Sequence, residues 1–485
     1  MSERPRLLIV GAGMACARLL EELIARAPHR FAIEVYGDEP LGSYNRILLS
    51  SVLAGKHRPG DIALHPPGWY EEHEVRLRRG ARVRAVDLVR RMIIVEGGGE
   101  ARYHRLVLAT GSSAFVPPLA GLDRPQGGRK PNVLVFRTLA DCEAILAAAA
   151  AARRAVVMGG GLLGLEAARG LLARGLEVHI LHLMPHLLEQ QLDARAGAVL
   201  LRRLEQLGLH VHLQADSRAV LGEERAEGVQ LADGSTIACD LLVIAAGIRP
   251  NVQLAREAGL LVRRGVVVGD DLVAPGFRGV HALGECAEHR GRTYGLVAPI
   301  WEQAEVLADR LSGGGALYRG SRVSTRLKVL DVDLAVMGAR DPEAGDEVVE
   351  FADEARCIYQ KLIVREDRLE GAILLGDTAA APGVLQAFAG RMPLPERRAE
   401  MLFPAAFERP PAPICELPDA TPICNCNGVS KGELVAAVRG GARSLRQLCA
   451  ATRAGSGCGT CQGQLRTLLG ELSAEAPPAG LRSIG

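Results

Sequence analysis

Four cysteines, Cys424, Cys426, Cys458 and Cys461, stand as a C-x-C pair and a C-x2-C pair with 31 residues between them. Four thiolates in two close pairs are the ligand set of a 2Fe-2S cluster or of a structural zinc ion. A C-x-C opening is shorter than the knuckle zinc sites prefer, so the spacing favours iron-sulfur. Gly428, Gly455, Gly457 and Gly459 lie beside them and leave backbone N–H groups able to approach the sulfurs, which tunes cluster potential. A second chemistry is written twice in glycine. Gly159, Gly161 and Gly164 follow the apolar run 155–158, and Gly11, Gly13 and Cys16 follow the run 7–10. A buried strand entering a glycine turn and then a helix sets a pyrophosphate on free N–H groups and a helix N-terminus, so two turns predict two dinucleotides.

The elements that must position these residues can be read outward from the turns. Residues 6–10 read as a strand, a helix follows to about 27, and 31–36 read as a second strand, after which Asp38 or Glu39 falls where an acid takes ribose hydroxyls. The polar segment 44–50 offers Arg46 to pair with a phosphate and Asn45 or Ser50 to hydrogen-bond it. Residues 105–111 form an apolar strand closing on Thr110 and Gly111, and Pro117 and Pro118 then mark a crossover. The alanine run 144–152 reads as plain helix. Beyond the second glycine turn, Glu166 lies one helical turn in, and the strand 177–181 ends at His182 where an acid would hold a ribose. With imidazole there, NAD and NADP are not separated by the residues. The run 241–247 closes on Gly247 and implies a second crossover; 280–288 deliver Gly284 and Glu285 at a turn; a helix is expected from about 302 to 311. No Cys-x4-Cys pair follows the first glycine turn, so a dithiol relay for disulfide reduction is not encoded.

With 48% apolar and 24% charged residues over 485 positions, the chain can bury several cores, and the prior is about three domains. A net charge of +2 without basic blocks argues against a nucleic-acid binder, and no apolar run is long enough for a membrane. A signal peptide is disfavoured because its apolar region would contain Gly11 and Gly13; with eleven cysteines, four of them at ligand spacing, a reducing cytoplasmic location is expected. Six prolines between 403 and 422 predict an extended linker on which the cysteine module swings.

The order of glycine turn, ATG segment, second glycine turn, AAGIRPN segment and GECAEH segment resembles the two-dinucleotide flavoprotein reductases. It is most similar to the flavoprotein part of NAD(P)H nitrite reductase large subunits and of assimilatory nitrate reductase electron-transfer subunits. The cysteine module resembles bacterioferritin-associated-ferredoxin-like 2Fe-2S domains. The resemblance implies an α/β chain with two interleaved Rossmann-like dinucleotide-binding domains, a small α+β domain and a small helical Fe-S module. The expected boundaries are 1–118 with 245–313 for FAD, 119–244 for NAD(P)H, 314–400 for the small interface domain, 401–422 for the linker, 423–471 for the 2Fe-2S domain and 472–485 for a tail. It implies FAD held by Gly11, Gly13, Asp38 or Glu39, Arg46, Thr110 and Glu285, and NADH or NADPH at Gly159, Gly161, Gly164 and His182 with Glu166 near the nicotinamide. Hydride would pass from nicotinamide to flavin and single electrons from the cluster to a separate terminal reductase subunit. The expectation is that of an assimilatory nitrate reductase, since nothing after Cys461 suggests a sirohaem or molybdenum site. A reductase for a sirohaem nitrite reductase or an oxygenase remains the enzyme alternative. An iron-sulfur redox sensor or iron-release binding protein is the alternative of another class.

Overall fold

The computed structural model describes residues 4–66, 68–329, 332–407, 413–424, 427–456, 459 and 461–474. The chain forms two compact units, one from Met1–Leu183 and Gln214–Ser321, the other from Met184–Leu213 and Arg322–Gly485.

The first unit contains two parallel sheets of the same plan. In one, Arg6–Val10 lies between Ala32–Tyr36 and Arg105–Leu108, with Val75–Arg78 and Val280–Ala282 outside them. In the other, Arg154–Met158 lies between Glu177–His182 and Leu241–Ile244, with Val133–Val135 beyond the latter. Leu7, Leu8, Ile9 and Ala155, Val156, Val157 are all fully buried, which is why these strands read as unbroken apolar runs: a parallel strand is covered on both faces. In each sheet the chain continues to one side of the glycine-turn strand and later returns to the other. That leaves a crevice at the strand's carboxyl end, the switch point where ligands bind in open α/β sheets.

The two expected crossovers meet as one antiparallel ribbon, Ser112–Ala114 against Ile248–Pro250. It is locked by Asn251 N–H to Gly111 O at 2.9 Å, Thr110 Oγ1–H to Asn251 O at 2.7 Å and Asn251 Nδ2–H to Thr110 O at 2.9 Å. The chain thus leaves the first sheet at Gly111 and re-enters it after Asn251, and the two dinucleotide domains interleave. The helix after the GECAEH segment begins at Val297 and runs to Ser312, five residues earlier than the spacing predicts. Pro299 occupies its first turn, where no N–H is needed, so a residue that reads as a breaker is a starter here.

His281, on the strand that delivers Glu285, is buried, and burial with the Arg105 charge beside it lowers its pKa to about 4. The unfolded chain binds that proton near pH 6.5 and the folded chain does not, so stability falls as pH drops below 6.5 and stops falling near 4. The loss amounts to about 3 kcal/mol. Thermal unfolding of wild type and His281→Gln across pH 4 to 7 should show a shallower slope for the variant, and parallel slopes would contradict it.

In the second unit, Ser324–Val329, Val332–Gly338, Arg368–Leu375, Ile358–Arg365 and Glu347–Asp353 pair in that order as an antiparallel sheet. Helix Ala381–Gly390 packs its Ala381, Val384 and Phe388 on Met337, Leu362 and Leu374. Helix Ala194–Gln206 is tied to this sheet through its N-cap Asp193, whose Oδ2 takes Lys361 Nζ at 2.7 Å and Tyr359 Oη at 2.9 Å. The cysteine module is a short hairpin, Pro422–Cys424 with Val429–Ser430, followed by helices Lys431–Arg439, Leu445–Thr452 and Gln462–Ala474. Both inner helices start at sequence-legible capping boxes, Ser430 with Glu433 and Ser444 with Gln447. Arg326 reaches Gln464 at 2.7 Å, and Glu471 accepts from the linker N–H groups of Ile414 and Cys415 at 3.1 and 2.9 Å. The module therefore rests on the small sheet domain in this structure. Among the described residues, no helix is long and apolar enough to cross a membrane.

Candidate functional site

The two glycine turns are one device used twice. Gly11 has φ +106°, and a Cβ on it would lie 2.1 Å from Ala109 O; Gly159 has φ +125°, and its Cβ would lie 2.2 Å from Ala245 O. Each turn is thus pressed against the end of the neighbouring strand, and only glycine fits. The next glycines, Gly13 and Gly161, are the N-caps of Met14–Arg26 and Leu162–Leu172 and have open space where a Cβ would stand. Neither helix has a side-chain cap or an acid in its first turn, nor does Val297–Ser312. By contrast, Leu139–Ala149, Ala194–Gln206 and the first two module helices are capped by Thr138, Asp193, Ser430 and Ser444. Helix Ala381–Gly390 in the other unit is uncapped too, but the N-termini of Met14–Arg26 and Leu162–Leu172 each follow a glycine turn and leave donors for an anion.

The turns differ at their third position. A Cβ on Gly164 would meet Gly159 O at 2.0 Å, so the second turn demands glycine there, whereas the first carries Cys16 fully buried. Burial pushes that thiol up to about 12, so it packs and does not react.

A cavity of about 1030 Å³ opens at the end of the first glycine-turn strand. Gly11, Asp38, Thr110 and Asn251 line it, together with Arg82, Arg84, Arg249, Arg256, Arg263 and Arg264. Space of that size, lined by six arginines against the three acids Asp38, Glu96 and Glu257, suits the phosphorylated half of a dinucleotide. Of the two candidate acids, Asp38 faces this cavity, and the Glu39 carboxylate is engaged by Tyr44 Oη at 2.7 Å and by Arg46. Asn45 Oδ1 accepts from Ile47 N–H at 3.1 Å and Ser50 Oγ lies 3.4 Å from Ile47 O, so both shape the turn that presents Arg46. Burial opposes the Arg46 charge, but Tyr44, Glu39 and Glu285 around it hold its pKa above the usual arginine value. Gly247 O accepts from Phe115 N–H at 2.8 Å on the crossover ribbon, and Gly284 N–H donates to Gln303 Oε1 at 2.8 Å, which fixes the turn carrying Glu285.

Arg137 was missed by the sequence reading. It forms an ion pair with Glu285, donates to Ser112 Oγ at 2.8 Å, and its carbonyl accepts from Arg46 at 3.1 Å; Ser112 Oγ in turn donates to Glu285 at 2.6 Å. Arg137 follows strand Val133–Val135 and precedes the Thr138 cap, so it stands at the carboxyl end of a parallel strand, the position that could have marked it. Arg137 and Glu285 are about five-sixths buried. Removing one partner strands the other, so Arg137→Gln should destabilise by about 3 kcal/mol. A double-mutant cycle with Glu285→Gln on unfolding should show coupling above about 1 kcal/mol; additive effects would contradict the pairing.

At the second turn, His182 Nδ1 accepts from Gly160 N–H at 3.1 Å, which ties the strand-end imidazole to the glycine turn. Glu166 lies half-buried on Leu162–Leu172, one turn beyond Gly161. Within the module, Cys424 is 1% and Cys461 4% exposed; Cys426 and Cys458 lie outside the described residues. Asn427 Nδ2 donates to Arg453 O and to Ser456 Oγ at 3.3 Å, which joins the loop after the first cysteine pair to the loop before the second. The two described thiols therefore sit buried in a fold that brings both loops together, as a four-thiolate centre requires.

Comparison with known proteins gives three family matches: pyridine nucleotide-disulphide oxidoreductase over residues 5–305, the rubredoxin NAD+ reductase C-terminal domain over 324–390, and the BFD-like [2Fe-2S] binding domain over 422–471. The chain is 39% identical to the nitrite reductase [NAD(P)H] of Bacillus subtilis over 96% of its own length and 57% of that protein's. It is 35% identical to the assimilatory nitrate reductase electron transfer subunit of the same organism, over 96% of this chain and 60% of that one. A ferredoxin reductase from Rhodopseudomonas palustris is similar at 27% identity and TM-score 0.71, over 79% of this chain and 93% of that structure. The chain thus spans less than two thirds of the two curated relatives.

Proposed function

Because the chain belongs to the pyridine nucleotide-disulphide oxidoreductase family, we propose that it is the NADH-oxidising electron-transfer component of a nitrate- or nitrite-assimilating reductase, most closely that of an assimilatory nitrate reductase. FAD, NAD(P)H and a 2Fe-2S cluster are its redox groups, and when bound they supply hydride acceptance and the splitting of an electron pair. The residues supply position. Gly13 and Gly161 open two helix N-termini to the pyrophosphates, Gly11, Asp38 and Thr110 face the FAD cavity, and the Arg46–Glu39 and Arg137–Glu285 pairs are joined by the Arg46 bond to Arg137 O. Glu166 is assigned to the nicotinamide side, and His182, which is not a carboxylate, to a ribose site that admits NADPH as well as NADH. Cys424, Cys426, Cys458 and Cys461 are assigned as the cluster ligands.

The single observation that carries the reading is a pair of equivalent glycine turns joined to a cysteine module of 2Fe-2S type within one chain. No protein dithiol follows the first turn, which leaves the module as the electron exit. The higher identity to a nitrite reductase supports delivery to a sirohaem centre as the second reading. Reconstitution separates the two. The loaded chain mixed with a purified nitrate reductase catalytic subunit should oxidise NADH only when nitrate is present. Coupling to a sirohaem nitrite reductase alone would assign it to nitrite, and coupling to neither would overturn the proposal.

A further inference from the structure

Charge is unevenly distributed along this chain. The whole sequence carries +2, yet residues 423–471 hold six basic and two acidic residues, so the rest is net negative. Both acids of the module accept hydrogen bonds from within the second unit, although Glu433 stays exposed and keeps its charge. Glu433 accepts from Ser430 N–H at 2.7 Å and from its hydroxyl at 2.9 Å, and Glu471 accepts from the linker N–H groups of Ile414 and Cys415. The one lysine, Lys431, is buried against Asp419 at 2.7 Å. Five arginines therefore outweigh the module's two carboxylates, and Arg439, Arg443, Arg446 and Arg466 are exposed.

They are gathered on the cluster side. Arg446, Cys449 and Arg453 follow one another at i, i+3 and i+7 along Leu445–Thr452 and its C-cap, so they share a face. Gly455 packs where that face meets the last helix: a Cβ on it would lie 3.1 Å from Cys449 Sγ and 3.3 Å from Gln462 Cγ. Gln462 Nε2 donates to Gly455 O at 3.0 Å, and Arg466 stands one turn further along Gln462–Ala474. Cys449 is in electrostatic reach of both Cys424 and Arg466. Arg446 and Arg466 therefore both lie near Cys449, which itself neighbours the buried thiol of Cys424.

We propose that this arginine rim is the docking surface for the electron acceptor, and that the acceptor is a protein presenting an acidic face. The inference rests on the cluster being the electron exit. Steering by opposite charge raises encounter rates and falls with ionic strength, whereas a neutral surface shows neither effect. An acidic electron-transfer protein is favoured over nucleic acid because the basic patch is small and lies on the cysteine module, next to Cys449 and Cys424, instead of forming a long basic track.

The full chain, loaded with FAD and cluster and reduced anaerobically by NADH, is mixed with ferricyanide or with hexaammineruthenium(III). Cluster reoxidation is followed by rapid-freeze EPR, so electrons leaving directly from the flavin are not counted. Reoxidation by the anion should slow with added salt and reoxidation by the cation should speed up. Arg446→Glu/Arg466→Glu should reverse both trends, and Arg446→Lys/Arg466→Lys should keep them. In calorimetry, a plant-type ferredoxin, used as an acidic protein probe, should bind wild type and the lysine variant but not the glutamate variant. Salt trends identical for both acceptors and unchanged by charge reversal, or binding to a DNA duplex with none to the acidic protein, would overturn the proposal. A cluster that NADH never reduces would instead remove the electron-exit reading beneath it.

Discussion

Replacing Gly159 with alanine is expected to slow flavin reduction by NADH by about 100-fold or more while FAD stays bound. The added methyl would sit 2.2 Å from Ala245 O and 3.1 Å from Ala246 N, on a residue whose φ is +125°. Strain of this kind costs on the order of 1–3 kcal/mol, and the turn can relieve it only by moving off strand Leu241–Ile244. That movement carries Gly161 and the open N-terminus of Leu162–Leu172 with it, and a shift of about 1 Å in a positioned reactant is enough for a loss of that size. The first turn belongs to a different sheet, so FAD content should match wild type. Stopped-flow bleaching of the flavin, with FAD quantified in the same sample, checks both halves. Normal bleaching would show that the second turn does not hold the nicotinamide nucleotide.

Replacing Cys461 with serine should separate entry from exit. Cys461 is 4% exposed and its carbonyl accepts from Leu465 N–H at 3.0 Å at the head of Gln462–Ala474. Serine is a good helix N-terminal residue, so the helix should survive while one thiolate is lost. Iron content and the reduced-cluster EPR signal should fall to background, and so should delivery to a protein acceptor; NADH bleaching of the flavin should be unchanged. A variant that still passes electrons to the protein acceptor at the wild-type rate would place the exit elsewhere, at the flavin itself.

Much of this was legible because the signals are local. A strand covered on both faces must be apolar throughout, so Leu7–Ile9 and Ala155–Val157 announce themselves, and a turn crowded by a neighbouring carbonyl must be glycine, as at Gly11 and Gly159. The module helices were marked by Ser430 with Glu433, although Val429 and Ser430 pair in a hairpin and the helix proper begins at Lys431. What was not legible depends on contacts distant in sequence. Arg137 meets Glu285 across 148 positions and Lys361 meets Asp193 across 168, and no spacing rule reaches that far. Asp38 and Glu39 are adjacent and equally acidic, so only the positions of Tyr44 and Arg46 show which carboxylate is occupied. The helix expected from about 302 begins at Val297, with Pro299 in its first turn, where no N–H is needed.

The central claim is that electrons enter this chain in pairs and leave it one at a time. The direct measurement is anaerobic mixing of the fully loaded chain with NADH, following flavin absorbance in parallel with rapid-freeze EPR of the cluster. The account predicts that the flavin bleaches first and that the signal of a reduced 2Fe-2S cluster then grows at the flavin's expense. A flavin that bleaches while the cluster stays oxidised, with iron and FAD both present in full, would contradict it.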